Sequence, residues 1–206
     1  MKHLILLASL LALSACELKG TMTVDSEFAA IDKKGKTHQI AVGAYRTEME
    51  YDEGDRELKL EIKNAAGQDE VELKLLVPVG QQTPERGQSF SYSARDIGQS
   101  FGVKGQSTEL FEQSSPLRGT EACSYIRYVR TCTGRGLPRR PGRRGQCYDR
   151  AVTYIGHRTI EYRLNTTTHV LDLQFVESNG ERILARSSAQ ASTTQQQIIY
   201  RGSCYR

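Results

Sequence analysis

The sequence predicts an all-β protein, an antiparallel β-sandwich or a partly open barrel stapled by disulfides. Apolar residues recur with a period of two along most of the chain, clusters of turn-forming residues interrupt them at short intervals, and no segment beyond the leader shows a helical stripe. Composition agrees, with 38% apolar and 25% charged residues among 206 and 18 Gly against 5 Pro. Such a chain is neither a membrane-spanning helical bundle, nor a collagen, nor a wholly disordered tail.

Asp32 to Lys36 is a turn that feeds a strand through Ile40, Val42 and Ala44. A second turn at Asp52 to Asp55 leads to Leu58, Leu60 and Ile62, which alternate with Lys59, Glu61 and Lys63. Asn64 to Gly67 turns the chain again, and Val71, Leu73, Leu75, Val77 and Val79 resume the alternation, completing an amphipathic hairpin. Residues 81–116, rich in Ser, Gln and Gly, mix short strands with loops around Phe90, Tyr92, Ile97, Phe101 and Val103. Val152 and Tyr154 alternate, then Ile160, Tyr162 and Leu164, and Thr166 to Thr168 reads as a strand edge or turn. Leu171, Leu173 and Phe175 return to Ile183 and Ala185 through Asn179-Gly180, read as a two-residue turn with positive φ at both positions. Two sheets sharing one core are favoured, and a two-lobed form split near Pro116 is the alternative. Without Trp and with five Phe the core leans on Leu, Val, Ile and Tyr, and disulfides offset that thinness.

Met1, Lys2 and His3 precede ten uncharged residues, Leu4 to Leu13, an apolar run too short to span a bilayer. The run ends Leu13-Ser14-Ala15-Cys16, and these residues resemble the lipobox of bacterial lipoprotein precursors. The resemblance covers the leader alone. It implies that residues 1–15 are a removable signal peptide, that Cys16 becomes the lipidated, palmitate-bearing first residue, and that residues 16–22 form a tether. Glu17 stands where, in this family, an Asp favours inner-membrane retention, so the implied address is the outer membrane, facing the periplasm or the cell surface. One acyl chain binds a membrane only marginally, whereas two or three hold firmly. An ordinary secreted protein with a chance cysteine is the rival reading.

Export leaves Cys123, Cys132, Cys147 and Cys204 as an even set in an oxidising compartment, where two disulfides are expected. Three pairings exist. Cys132 with Cys147 is favoured because they flank a Gly/Arg/Pro-rich segment as two strands flank a hairpin loop, which leaves Cys123 with Cys204. Zinc is disfavoured by wide spacings and the lack of any C-x-x-C.

Charge changes at Pro116. Residues 17–115 carry 18 acids and 12 bases, a net of −6, and residues 116–206 carry 6 acids and 15 bases, a net of +9. The body therefore divides into an acidic N-terminal β half, 23–115, and an Arg-rich C-terminal β half, 116–206. Every C-terminal base is Arg, the side chain suited to bidentate contact with phosphate or carboxylate. Between Cys132 and Cys147, residues 133–146 hold Arg135, Arg139, Arg140, Arg143 and Arg144 among glycines and prolines. Arg127, Arg130 and Arg150 flank this loop, with Tyr125, Tyr128, Tyr148 and Tyr154 as stacking candidates. A loop so charged repels itself and gains most by meeting an anion, although a solvated hairpin tip is the plainer alternative.

Other constellations are weaker. Residues 30–37 fit a relaxed P-loop pattern, but a strand rather than a helix follows them. Glu48, Glu50, Asp52, Glu53, Asp55 and Glu57 surround Gly54 at a density suited to calcium, without EF-hand order; a solvated hairpin or a partner for the arginines is the simpler account. No G-x-S-x-G accompanies His38, His157 and His169, so a catalytic triad has no sequence support, and no cofactor motif is present. The expectation is a non-catalytic, lipid-anchored envelope protein whose arginine loop contacts lipopolysaccharide, anionic lipid or an acidic protein, with no specific nucleic acid. An inhibitor of a lytic enzyme and an envelope hydrolase are the alternatives.

Overall fold

A computed structural model describes residues 17–64, 70–84, 87–132 and 147–205. These form β1 (Leu18–Val24), β2 (Phe28–Ile31), β3 (Thr37–Ile40), β4 (Gly43–Asp52), β5 (Glu57–Asn64), β6 (Glu70–Leu76), β7 (Ser89–Tyr92), β8 (Phe101–Gln113), β9 (Leu117–Cys132), β10 (Cys147–Glu177) and β11 (Ile183–Arg201). The main sheet has the order β6-β5-β4-β1-β11-β10-β8-β7, with β9 on β10, and β2 pairs with β3 in a second sheet. The fold is all-β and antiparallel, as the alternation predicts. The chain divides into two compact units, residues 1–111 with 167–193 and residues 112–166 with 194–206, and β8, β10 and β11 contribute to both.

In the first unit the sheet curls as a half-barrel. Period two puts Leu58, Leu60 and Ile62 of β5 and Leu73 and Leu75 of β6 inside, while Lys59, Glu61, Lys63 and Lys74 project from the other side. Phe28, Phe101 and Phe175 form an aromatic cluster with ring centroids 5.2 to 5.7 Å apart. Tyr92 is buried with its hydroxyl donating to the Gln82 carbonyl, and burial pushes its pKa up. On the outer face Lys63 bridges Glu48 and Glu61, which stand directly opposite each other on β4 and β5, at 2.9 and 2.8 Å. Lys59 meets Glu50 and Lys74 meets Glu57.

Several elements differ from expectation. Residues 18–22, read as tether, are β1, a central strand between β4 and β11. Its alternation is short, with only Met22 and Val24 fully buried. At Gly20 a Cβ would lie 1.9 Å from the Ser188 carbonyl oxygen, so β1 and β11 approach as only glycine permits. Ile40 and Ala44 belong to different strands, because exposed Val42 lies in the link between β3 and β4. Val79 lies beyond the end of β6 and is exposed. The Asn179-Gly180 turn is longer than two residues: Glu177 N–H donates to Arg182 O, Gly180 N–H to Glu177 O, and only Gly180 has positive φ, 77°. The alternating runs from Val152 to Phe175 are one strand, whose Thr168 meets Ser192 of β11 at 2.7 Å.

The charge step at Pro116 does not coincide with the division into units. Residues 167–193 return to the first unit, where Leu171, Leu173, Phe175, Leu184 and Ala185 are buried. The charge step is a property of the linear chain, whereas compactness follows pairing between distant strands.

The second unit is built differently. β9 pairs with β10 over sixteen consecutive rungs, from Leu117↔Tyr162 to Cys132↔Cys147. Within it Thr166 and Thr194 share a hydroxyl hydrogen bond of 2.9 Å. Tyr205 bridges His157 through two backbone hydrogen bonds, 2.8 and 2.9 Å. Among the described residues Ile160 is this unit's sole fully buried large apolar side chain.

Candidate functional site

Both disulfides lie in the second unit and follow the pairing favoured from spacing. Cys123 bonds Cys204 with Cα atoms 6.0 Å apart, and Cys132 bonds Cys147 at 4.0 Å. Cys132 and Cys147 are directly opposed, so their bond closes the last rung of the β9–β10 ribbon and clamps the two ends of residues 133–146 together. Arg135, Arg139, Arg140, Arg143 and Arg144, together with Cys16, lie outside the described residues.

The ribbon behind that neck sorts its arginines. Toward its base Arg118 pairs with Glu161 at 3.0 Å, and Arg158 and Arg201 both donate to Glu121, at 2.6 and 2.9 Å. Partial burial pushes the Glu121 carboxyl up, but these two guanidiniums outweigh it and hold the group below the usual carboxylate range. Nearer the neck, Arg127, Arg130 and Arg150 are exposed and have no carboxylate partner among the described residues. Residues 122–157 hold eight arginines and a single acid, Asp149. Of the tyrosines, Tyr125 and Tyr154 stack on each other at 5.7 Å, and Tyr128, Tyr148 and Tyr154 are exposed. Gly156 lies beneath the C-terminal tail, where a Cβ would meet the Tyr205 carbonyl oxygen at 2.3 Å. The tail thus packs close enough to bring Cys204 to Cys123.

Reasoning from sequence missed one feature of this ribbon. Ile126, Tyr128 and Ile155 are exposed on one face, 64, 72 and 83% accessible. The register that reveals this can be counted back from the Cys132–Cys147 rung once that bond is accepted.

The remaining candidates resolve locally. The P-loop-like segment is the β2–β3 hairpin, and its amides already have an acceptor: Asp32 Oδ1 receives Lys34 N–H at 2.8 Å and Lys36 N–H at 2.9 Å, while Oδ2 meets His38 Nε2 at 2.9 Å. The Lys36 amide first, then His38, holds the Asp32 carboxyl at about 2. Because the folded value lies below the ordinary value of 3.8, this stabilisation is complete above that pH and lost as the pH falls toward 2. The Lys34 and Lys36 amide proton resonances are expected to titrate in that window in the wild type and to be displaced at all pH values in Asp32→Asn. Identical spectra for the two proteins at neutral pH would refute the arrangement.

In the acidic turn, Asp52 Oδ1 accepts from Gly54 and Asp55 N–H, and Glu48, Glu50 and Glu57 are paired with lysines. Among the described residues no group of three or more His, Cys, Asp or Glu is gathered as for a metal. His157 is exposed and His169 half-buried on β10. Comparison with protein-family models, with curated proteins and with solved structures finds no match to this chain.

Proposed function

We propose that the protein is a lipid-anchored, non-catalytic component of the bacterial cell envelope that binds an anionic partner through its disulfide-closed arginine hairpin. The observation that carries this is the sorting of arginines along β9 and β10. Toward the base Arg118, Arg158 and Arg201 have carboxylate partners and Arg163 donates to the Gln113 side chain, whereas Arg127, Arg130 and Arg150, on the strands leading to the neck, have neither among the described residues. Unpaired guanidiniums beside a loop carrying five more favour phosphate or carboxylate from outside. Lipidation at Cys16 and the outer-membrane address rest on the lipobox resemblance and supply the location. The clamped neck also favours a second reading, a rigid loop inserted into the acidic cleft of a lytic enzyme, since pre-closed loops lose little entropy on binding.

The test replaces Arg135, Arg139, Arg140, Arg143 and Arg144 with Ser in the full oxidised chain carrying Cys16→Ser, so that no acyl chain contributes. Binding to lipopolysaccharide and to phosphatidylglycerol vesicles is measured at rising salt. Each arginine near an anionic surface contributes about 1 kcal/mol, so the five-fold variant is expected to bind at least about a hundredfold more weakly, with the wild type converging on it as salt is added. Equal binding by both proteins would overturn the reading.

A further inference from the structure

We infer that the face of the β9–β10 ribbon bearing Ile126, Tyr128 and Ile155 seats itself among the headgroups of an anionic phospholipid bilayer. This rests on the anion-binding reading above and names its partner.

Directly opposed residues of an antiparallel pair project to the same side. Four successive rungs on one side, Ala122/His157, Ser124/Ile155, Ile126/Thr153 and Tyr128/Ala151, contain no Lys, Arg, Asp or Glu. They run for about 20 Å along the strands. Charge returns only beyond them, with Arg130 opposite Asp149 at one end and the Arg118–Glu161 ion pair toward the other. The Tyr205 side chain, 53% exposed, extends the same patch, its hydroxyl 3.3 Å from that of Thr159. The opposite side of the ribbon carries the Cys123–Cys204 bond, the Tyr125–Tyr154 stack, Arg127 and Arg150.

A patch of this size left in water marks a place where something else sits. Charge complementarity selects the occupant. The surrounding segment holds eight arginines and one acid, which favours a dense anionic surface. Aliphatic and tyrosine side chains on this side suit the interface of a bilayer, while the arginines of the segment, of which Arg127 and Arg150 project from the opposite side, draw the ribbon as a whole toward an anionic surface. Depth is limited by the backbone. β9 pairs with β10 alone, so its outer edge needs water and the ribbon lies in the headgroup layer without spanning. An acyl group at Cys16 would hold the chain at the same surface, and two weak membrane attachments together hold far more firmly than either alone.

The chain has no Trp, so a single introduced indole reports its own surroundings. Ile126→Trp and Ile155→Trp place it on the patch, and Val79→Trp, at a site 92% exposed in the first unit, serves as control. Each is made in the full oxidised chain with Cys16→Ser and mixed with phosphatidylglycerol vesicles or with phosphatidylcholine vesicles. With the anionic vesicles both ribbon reporters are expected to shift to shorter wavelength and to be quenched by brominated acyl chains, while Val79→Trp does neither. Ile126→Ser with Ile155→Ser is expected to weaken vesicle binding about tenfold or more with all arginines intact. Vesicle binding without quenching would overturn this inference and leave the anion-binding reading standing. Binding to neither anionic vesicles nor lipopolysaccharide would overturn both. A dimer in vesicle-free solution that the double Ser variant dissociates, with no quenching by vesicles, would assign the face to a second copy and overturn the bilayer.

Discussion

Replacing Cys123 and Cys204 with Ser is expected to unfold the second unit while the first stays folded. That bond closes a loop with a sequence separation of 81, and the chain-entropy account of such a loop places its contribution slightly above 4 kcal/mol, at about 4.5. Little else holds the unit together. Among the described residues only Ile160 is a fully buried large apolar side chain there, and the C-terminal segment is tied to β9 and β10 mainly by this bond, by the Glu121 cluster with Arg158 and Arg201 and by the short Tyr205 bridge. A narrow sheet with so small a core is marginal in water. Hydrogen exchange on the folded protein is the measurement: amides of β9 and of residues 194–205 lose protection in the variant, and those of β4 to β6 keep it. Reduction of the wild type should reproduce the pattern. Acidification should deepen it, because Glu121 is held below the usual carboxylate range, so its contribution is present above that range and lost as the pH falls through it. Retained protection in β9, or simultaneous loss in both units, would contradict this account.

Phe175→Ala is expected to cost the first unit about 3–5 kcal/mol, a large share of what a domain this size has to lose. Phe175 is fully buried, stacks on Phe28 at 5.7 Å and meets Phe101 edge-on at 5.3 Å, so truncation removes one member of a three-ring cluster and leaves a cavity that its two partners cannot close without moving strands. Denaturant unfolding should show the midpoint falling with an unchanged slope. Val79→Ser, at an exposed position outside any strand, should change stability by less than about 0.5 kcal/mol. A Phe175→Ala loss no larger than that of Val79→Ser would show that the cluster does not stabilise the fold.

The two units reach stability by different routes, and this bears on the proposed activity. The first buries its alternating apolar residues in one core and neutralises its outward carboxylates with Lys59, Lys63 and Lys74. The sequence of the second carries thirteen arginines and four acids, a net of +9, and its described strand β9 is mostly exposed. A charged ribbon of that kind cannot be collapsed into a core, since desolvating unpaired guanidiniums costs more than the burial returns. Covalent cross-links at its base and its neck let it stay extended, with its charge available to a partner.

Strands whose side chains alternate over many residues are legible in the amino-acid sequence. Leu58 to Ile62 and Leu171 to Phe175 each state their inward face locally, and the same local logic applied to turns and to the Gly/Arg/Pro-rich segment identifies the cysteine pairs. β1 is not legible, because its pattern is short, contains Gly20, and acquires meaning only from β4 and β11 on either side. Neither is the return of residues 167–193 to the first unit, nor the uncharged side of the ribbon, which requires the register of β9 on β10. By itself, then, the sequence determined the strand class and the concentration of arginine and favoured one pairing of the cysteines, since alternation, spacing and composition are properties of neighbouring residues. Only the tertiary structure decided which strands meet, which arginines find carboxylates and which apolar side chains stay in water, because those outcomes depend on pairing between residues far apart along the chain.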